Sequence, residues 1–293
     1  MLMDKLPKVI AVVGATASGK TSYAIELAKQ INGEIISADS RLVYKGMDIG
    51  TAKPTVEERQ GIPHHLIDVV EPEENYSAGW YAKDARKCIK DIISRGKTPI
   101  IAGGTGLYLR ILLENYDLPE MNADYELRKE LASKSFEELF EILSKIDEKA
   151  ANSVEQNDKK KLIRYIEIVK HTGKPLHLAR GIKDEKEFEV EWIGLNYPRE
   201  ELYDRINRRV DLMVEQGLID ETQKLLEKHG RIPNIVDTIG YREIISYLDG
   251  ELSLDEAKDK LKQNTRNYAK RQLTWFRKNE EINWNCYPDK KKK

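Results

Sequence analysis

The sequence predicts an α/β fold in which a parallel sheet is flanked by helices and an α-helical insertion interrupts the core. Short apolar runs, such as residues 9–13 and 97–102, alternate with amphipathic helical patterns, which is typical of β-α-β units with parallel strands. Residues 121–188 instead contain short charged helical segments and few β-branched runs. We therefore predict a core of residues 1–120 and 189–293 and an insertion domain of residues 121–188.

The first apolar run leads into a glycine-rich turn and then into a helical pattern. The turn reads G-x-x-x-x-G-K-T and consists of Gly14, Ala15, Thr16, Ala17, Ser18, Gly19, Lys20 and Thr21. Glycines let the backbone approach a phosphate closely, while Lys20 supplies a positive charge and Thr21 a hydroxyl suited to Mg²⁺. The strand before the motif and the helix after it favour a P-loop NTPase-like core that binds a di- or triphosphate over an ordinary turn.

The remaining core elements are predicted from apolar periodicity and capping signals. They are helices over residues 22–31, 77–95 and 198–217, a helix of about 24 residues that begins at the capping box of residues 253–256, and strands over residues 34–38, 97–102 and 189–195.

Two polar residues follow the second and third predicted strands. Asp39 comes directly after residues 34–38, and Thr105 follows two glycines at the end of the third strand. Ligands of open α/β sheets bind at the carboxyl ends of the strands, so both side chains should face the phosphate loop and its ligand. By type and position, Asp39 could bind Mg²⁺, act as a base or cap a helix, and Thr105 could contact a phosphate or cap the strand end.

Local charge is more informative than overall composition. The chain has 293 residues, a mass of 33.8 kDa and a formal net charge of −1, so its total charge does not indicate a nucleic-acid partner. Residues 262–279 nevertheless contain no carboxylate and six cations, namely Lys262, Arg266, Lys270, Arg271, Arg277 and Lys278. With the aromatic residues between them, these cations favour phosphate contact, whereas the lysines at 159–161 alone are better explained by a solvated helix face.

Few features indicate a membrane, a disulfide framework or a metal centre. Cys88 and Cys286 lie far apart in the sequence, and His64 and His65 lack a third ligand nearby. No apolar stretch approaches the roughly 20 residues that span a bilayer, and the chain starts without a signal-peptide pattern. We expect a cytoplasmic protein with no membrane contact, and a monomer.

These motifs together resemble the tRNA dimethylallyltransferase family, the isopentenyl-diphosphate:tRNA enzymes. The matching strings run in order over nearly the full length. They are residues 14–21, Asp39-Ser40-x-Leu42-Val43-Tyr44 with residues 46–54, Gly103-Gly104-Thr105-x-Leu107-Tyr108, Gly240-Tyr241-Arg242, and Lys270-Arg271-Gln272-x-Thr274-Trp275-x-Arg277. Ala15 departs from the family, which commonly has proline there.

The resemblance implies both an activity and a substrate. It implies a P-loop core, an insertion that grips the tRNA anticodon stem-loop, and transfer of a dimethylallyl group from dimethylallyl diphosphate. The acceptor would be N6 of the adenosine 3′-adjacent to the anticodon, and diphosphate would be released. Because the diphosphate then only departs, no acidic residue that activates water is required, which agrees with the glycines and Thr105 at the end of the third strand.

The resemblance also implies roles for individual residues. Asp39 is expected to be the general base, with Thr105 and Arg205 as further catalytic residues. Lys20, Arg208 and Thr21 with Mg²⁺ are expected to hold the diphosphate together with the rest of the phosphate loop. The implied tRNA-binding residues are Asp39, Ser40, Arg41, Leu42, Thr105, Arg128, Lys160, Lys161, Arg164, Gly240, Tyr241, Arg242, Lys270, Arg271, Gln272, Thr274, Trp275 and Arg277.

Three other functions were compatible with parts of the sequence. A nucleotide kinase would use the same loop but usually carries a strand-end acid for Mg²⁺. A prenyltransferase acting on free AMP or ATP would not need the basic C-terminal helix and the insertion. An RNA-binding module without catalysis would leave Asp39 and Thr105 without a role.

Overall fold

The computed structural model describes residues 6–114, 116, 117, 119, 121, 124–182 and 186–286. The chain forms two compact units, one made of Met1–Leu112 and Glu187–Lys293 and the other of Leu113–Lys186. The second unit therefore starts earlier than the predicted insertion of residues 121–188 and ends close to its predicted end.

The helices and strands of the chain follow one another in three stretches. The first stretch contains β1 (Lys8–Gly14), α1 (Lys20–Ile31), β2 (Gly33–Ala38), β3 (His64–His65), α2 (Ala78–Ser94), β4 (Thr98–Gly103) and α3 (Gly106–Leu113). The second contains β5 (Tyr116–Asp117), α4 (Tyr125–Ala132), α5 (Phe136–Asn152), α6 (Lys159–Thr172), α7 (Leu176–Ala179) and β6 (Gly181–Ile182). The third contains β7 (Glu189–Asn196), α8 (Arg199–Glu215), α9 (Leu218–His229), α10 (Pro233–Val236), α11 (Tyr241–Leu248), α12 (Leu254–Phe276) and β8 (Asn283–Cys286).

The first unit is built on a parallel sheet, as the sequence predicts. The strand order is β3-β2-β4-β1-β7-β8, and every neighbouring pair is parallel. Strands β1 and β2 are buried almost throughout because helices cover both faces of the sheet, which explains the continuous apolar run of β1. Because β2, β4 and β1 are neighbours that run in the same direction, their carboxyl ends lie side by side at one edge of the sheet.

The two edge strands were not predicted from the sequence. β3 consists of only two residues, and β8 has the polar sequence Asn-Trp-Asn-Cys, which lacks an apolar run. Within the described residues, each helix is too short or too polar to cross a bilayer.

The second unit is a helical domain with its own core. Leu131 of α4, Leu139 and Leu143 of α5, and Leu162 and Ile166 of α6 are buried together. Ser135 and Glu138 form a capping box at the start of α5, in which each side chain bonds the other residue's backbone N–H.

At the opposite end of β2 from the carboxyl edge, Glu34 forms a buried ionic cluster. Arg95 donates two hydrogen bonds to its carboxylate, and Lys97 and His65 each donate one at 2.8 Å. The hydrogen bonds from Arg95 lower the pKa of Glu34 well below its usual range, with further lowering by Lys97 and His65, although burial acts in the opposite direction. The cluster therefore stabilises the ionised carboxylate in the folded chain.

Replacing this carboxylate should change how stability depends on pH. The folded pKa of Glu34 lies below the unfolded value of about 4.3, so its contribution is present above that value and is lost as the pH falls through the folded pKa. We expect Glu34→Gln to lower the free energy of unfolding by about 2 kcal/mol at neutral pH and to make it less sensitive to acid. Urea titrations at several pH values measure both quantities.

Glu26→Gln is the matched control. Glu26 lies on the neighbouring helix α1, its side chain is largely exposed, and it pairs with Lys29 at 2.8 Å. This substitution should change the unfolding free energy by less than about 0.5 kcal/mol. An equal loss of stability in both variants, or an unchanged acid dependence in Glu34→Gln, would contradict the proposed contribution of Glu34.

Candidate active site

The phosphate loop connects β1 to α1 and takes a conformation that requires glycine. Gly14 has φ = 151°, and a Cβ there would lie 2.5 Å from the Leu195 carbonyl oxygen of β7. Gly19, at the N-cap of α1, has φ = 79°. The first turn of α1 contains no acidic residue, so the positive end of the helix dipole is not offset there. This geometry suits an anion at the start of α1.

Two of the predicted phosphate ligands lie against the loop backbone. Lys20 donates a hydrogen bond from Nζ to the Ala15 carbonyl at 2.6 Å, and Arg205 donates from Nε to the Ala17 carbonyl at 2.8 Å. Burial lowers the pKa of Lys20 to about 8, although the Asp39 carboxylate acts in the opposite direction. The Arg205 guanidinium also stacks on Tyr197, 4.5 Å from the ring centroid.

The next arginine at the loop is Arg209, not the predicted Arg208. Arg209 donates from Nη1 to the Thr16 hydroxyl at 3.2 Å, and burial lowers its pKa. The side chain of Arg208 is 67% exposed and pairs with Asp204 at 2.8 Å. The contact of Arg208 with the diphosphate stays a prediction, whereas Arg209 contacts the loop directly. Arg209 could have been identified from its spacing, because it lies one helical turn after Arg205 and directly before the buried Val210.

Asp39 and Thr105 are brought together by the ends of β2 and β4. The Thr105 backbone N–H donates to the Ala38 carbonyl at 3.0 Å, and the Thr105 Oγ1 accepts from the Ser40 N–H at 3.0 Å. Asp39 Oδ1 accepts from the Arg41 N–H at 2.8 Å.

A Cβ on Gly103 would overlap the Ala38 carbonyl, so glycine at the end of β4 is what lets the two strand ends approach. Asp39 also lies close enough to Lys20 and Arg209 to influence both pKa values.

Tyr268 of α12 is a further polar group at this edge. Burial and the Asp39 charge raise the pKa of its hydroxyl to about 12, although the neighbouring Thr105 side chain acts in the opposite direction. The sequence indicated Tyr268 only as an aromatic residue between cations, because its inward direction depends on how α12 packs.

Gln272 is buried at the phosphate loop and is not available to RNA in this arrangement. It is only 5% exposed, its Oε1 accepts from the Thr16 N–H at 2.7 Å, and its Nε2 donates to the Gly104 carbonyl at 3.0 Å. The structure thus corrects its predicted place among the tRNA-binding residues, because the inner face of α12 carries it toward the sheet.

The Gly240-Tyr241-Arg242 motif likewise contains a buried side chain. Tyr241 has no exposed surface, its ring packs against Gly50, and its hydroxyl donates to Glu221 at 2.7 Å. The Tyr241 side chain is therefore not available to RNA in this arrangement. Arg242 is half-exposed and donates from Nη2 to Glu243 at 2.7 Å, so its role in tRNA binding stays a prediction.

The outer surface of α12 carries the predicted tRNA contacts. Lys270, Arg271 and Arg277 are exposed, and Trp275 is 40% exposed while its ring packs against Gly106. Not all six cations of the segment are available, because Lys262 pairs with Asp211 at 2.9 Å and Arg266 donates to Asn207 at 2.7 Å. The cationic surface is therefore concentrated in the last two turns of α12 and just beyond them.

In the second unit, the predicted tRNA-binding cations are of two kinds. Arg128 and Arg164 both donate to the buried Glu167, at 2.8 and 2.5 Å respectively. Burial alone would raise the pKa of Glu167, but these two guanidinium groups outweigh it and lower the pKa. The two arginines therefore hold the helices of this unit together, whereas Lys160 is exposed and Lys161 lies over the Tyr165 ring.

Known proteins are similar to this chain along most of its length. A family model described as IPP transferase matches residues 42–279. The tRNA dimethylallyltransferase of Acetivibrio thermocellus is 49% identical over 286 residues, which is 95% of this chain and 91% of the relative.

Two solved structures are similar in fold as well as in sequence. A tRNA isopentenylpyrophosphate transferase from Bacillus halodurans has a TM-score of 0.72 at 46% identity, covering 95% of this chain and 89% of its own. A eukaryotic dimethylallyltransferase described as acting on tRNA has a TM-score of 0.84 at 31% identity, covering 97% of this chain and 74% of its own.

The assignment of Arg209 rather than Arg208 to the phosphate loop is testable with inorganic diphosphate. Arg209→Gln removes a buried cation that contacts the loop, so it should weaken diphosphate binding by about 10- to 100-fold. Arg208→Gln removes an exposed cation and should change the affinity by less than about twofold. Titration calorimetry with Mg²⁺ at constant ionic strength measures both, and a larger effect of Arg208→Gln would restore the original prediction.

Proposed function

The chain belongs to the IPP transferase family and is a prenyltransferase that modifies tRNA, and on this premise we propose how its site performs the transfer. The dimethylallyl group moves from dimethylallyl diphosphate to N6 of the adenosine 3′-adjacent to the anticodon. The phosphate loop holds the diphosphate, and Asp39 receives the proton that N6 loses. The observation that carries this proposal is the convergence of the loop, Asp39 and Thr105 at the carboxyl ends of three neighbouring strands.

Asp39 is suited to act as the base. An exocyclic adenine amine is a weak nucleophile, so its attack requires close positioning and removal of a proton. One Asp39 oxygen is held by the Arg41 N–H, which fixes the direction of the carboxylate. As the N6 lone pair forms a bond to C1 of the donor, the C1–O bond breaks, its electrons leave with the diphosphate, and the proton passes to Asp39.

The phosphate loop and α8 supply the charge that the leaving group requires. Negative charge on the diphosphate grows as the C1–O bond breaks, and fixed cations and N–H groups stabilise it. Lys20, Arg205 and Arg209 surround the loop, and the start of α1 adds its dipole. Thr105 accepts from the Ser40 N–H next to Asp39, and its proposed role is to contact the bridging oxygen between C1 and the diphosphate.

The residues present fit a magnesium ion that is held mainly by the substrate. No group of three or more His, Cys, Asp or Glu side chains suited to a metal occurs among the described residues. Mg²⁺ in phosphate sites commonly uses one or two protein oxygens together with phosphate oxygens and water. The exposed Thr21 side chain in the first turn of α1 is such a ligand. When bound, the ion would neutralise part of the diphosphate charge.

The anticodon stem-loop is proposed to bind the outer surface of α12. Lys270, Arg271 and Arg277 would contact phosphates, and the exposed edge of Trp275 offers a stacking surface for a base. The target adenine must leave the loop stack to reach Asp39, which costs a few kcal/mol, so these contacts must also compensate for the distortion.

A transfer assay that offers tRNA, AMP or ATP as the acceptor tests the proposed reaction. Purified protein is incubated with dimethylallyl diphosphate labelled in the dimethylallyl group and, separately, with unmodified tRNA, AMP or ATP. We expect label in tRNA alone and one diphosphate released for each group transferred. Label in AMP or ATP but not in tRNA would identify a different acceptor and contradict the proposal.

The same assay tests the role of Asp39. Asp39→Asn retains the Oδ1 that accepts from the Arg41 N–H but cannot take a proton, so kcat should fall by about 100-fold or more while tRNA affinity changes little. Asp39→Ala should lose turnover to at least the same degree. A loss of tRNA affinity with unchanged turnover would instead make Asp39 a binding residue.

The salt dependence of tRNA binding tests the surface of α12. Lys270→Ala and Arg271→Ala each remove an exposed cation, so each should weaken binding and reduce the slope of log K against log salt by up to about one. Lys262→Ala, on the same helix, removes a cation that pairs with Asp211 and should leave the slope unchanged. Filter binding over a range of salt concentrations measures the slopes, and equal slopes in all variants would exclude phosphate contact by Lys270 and Arg271.

A further inference from the structure

Gln272 connects two parts of the active site that are far apart in sequence. Its carboxamide accepts from the Thr16 N–H in the phosphate loop at 2.7 Å and donates to the Gly104 carbonyl, one residue before Thr105, at 3.0 Å. A Cβ on Gly104 would overlap Nε2, so the contact also depends on the glycine. Thr16 is held a second time through its hydroxyl, which accepts from Arg209.

We propose that Gln272 is a positioning residue that sets the distance between the phosphate loop and Thr105, so that one bound diphosphate contacts both. This inference rests on the proposed function. The carboxamide oxygen and nitrogen of Gln272 are bonded to the Thr16 N–H and the Gly104 carbonyl, so its proposed role is exerted through these backbone groups. It acts by fixing the orientation of the peptide group that ends at Thr16 and the backbone that leads into Thr105.

The chemistry of the carboxamide explains why glutamine suits this position. A neutral amide offers one acceptor and one donor at a fixed separation, which matches one N–H and one carbonyl. A carboxylate of the same shape could still accept from the Thr16 N–H. Its second oxygen would repel the Gly104 carbonyl oxygen, and its negative charge would lie close to the bound diphosphate. An aliphatic side chain of similar volume would leave both backbone groups without a partner in a buried site.

The position of Gln272 on α12 separates this role from tRNA binding. Ala269, Gln272 and Phe276 are buried on the inner face of the helix, whereas Lys270 and Arg271 are exposed on its outer surface. One helix thus carries the loop contact and the predicted tRNA surface on different sides, so substitutions on the two sides should affect different substrates.

Gln272→Glu and Gln272→Leu test the proposal, with Gln263→Leu on an exposed position of the same helix as the matched control. The measurements are affinity for inorganic diphosphate with Mg²⁺, KM and kcat for dimethylallyl diphosphate at saturating tRNA, tRNA affinity, and Tm. We expect both Gln272 variants to lose about 10- to 100-fold in diphosphate affinity and in kcat/KM, with the larger loss for the carboxylate. Their tRNA affinity should stay within about twofold of wild type, as should every parameter of Gln263→Leu.

Several outcomes would overturn the inference. Unchanged diphosphate affinity in both Gln272 variants would show that the carboxamide does not position the loop. Weaker tRNA binding with unchanged diphosphate affinity would show that Gln272 acts in tRNA binding and not in positioning the loop. A fall in Tm with a proportional loss of every activity would indicate only a structural role, and the nearly isosteric Gln272→Glu decides this if Gln272→Leu does not fold. A failure of wild-type prenyl transfer would contradict the proposed function, while the diphosphate titration would still test Gln272 separately.

Discussion

The parallel pairing of β2, β4 and β1 is the constraint on which the active site depends. Parallel neighbours end at the same edge of a sheet, so the phosphate loop, Asp39 and Thr105 meet although they are separated by up to 91 residues. The approach is closest where Gly103 meets the Ala38 carbonyl and where Thr105 bonds both Ala38 and Ser40. A larger residue at position 103 would push the end of β2, with Asp39, away from Thr105 at the end of β4.

The helices that pack on this edge complete the site with side chains that point inward. α8 contributes Arg205 and Arg209, and α12 contributes Tyr268 and Gln272, which lie one turn apart. These groups hydrogen-bond to the loop backbone and leave the edge positively charged, which suits a bound diphosphate. In the proposed reaction, cations and N–H groups stabilise the developing charge, and one carboxylate acts as the base.

The sequence predicted the sheet, the loop and both strand-end residues because each follows from local patterns and from the geometry of parallel strands. It did not distinguish Arg208 from Arg209, because that choice depends on the rotation of α8 against the loop. It also placed Gln272 and Tyr241 among RNA contacts, since a motif shows that residues belong together but not which of them are buried. The polar strand β8 was missed because pairing with β7, not apolar periodicity, makes it a strand.

The central claim is that the diphosphate leaves by cleavage of the bond between C1 and oxygen. The most direct test is a reaction of wild-type protein with tRNA and dimethylallyl diphosphate whose bridging oxygen carries a heavy isotope, followed by mass spectrometry of the products. We expect all of the isotope to be recovered in the released diphosphate and none in the modified tRNA. Isotope retained on the dimethylallyl carbon, as in dimethylallyl alcohol or its monophosphate, would show cleavage between phosphorus and oxygen and would contradict the account.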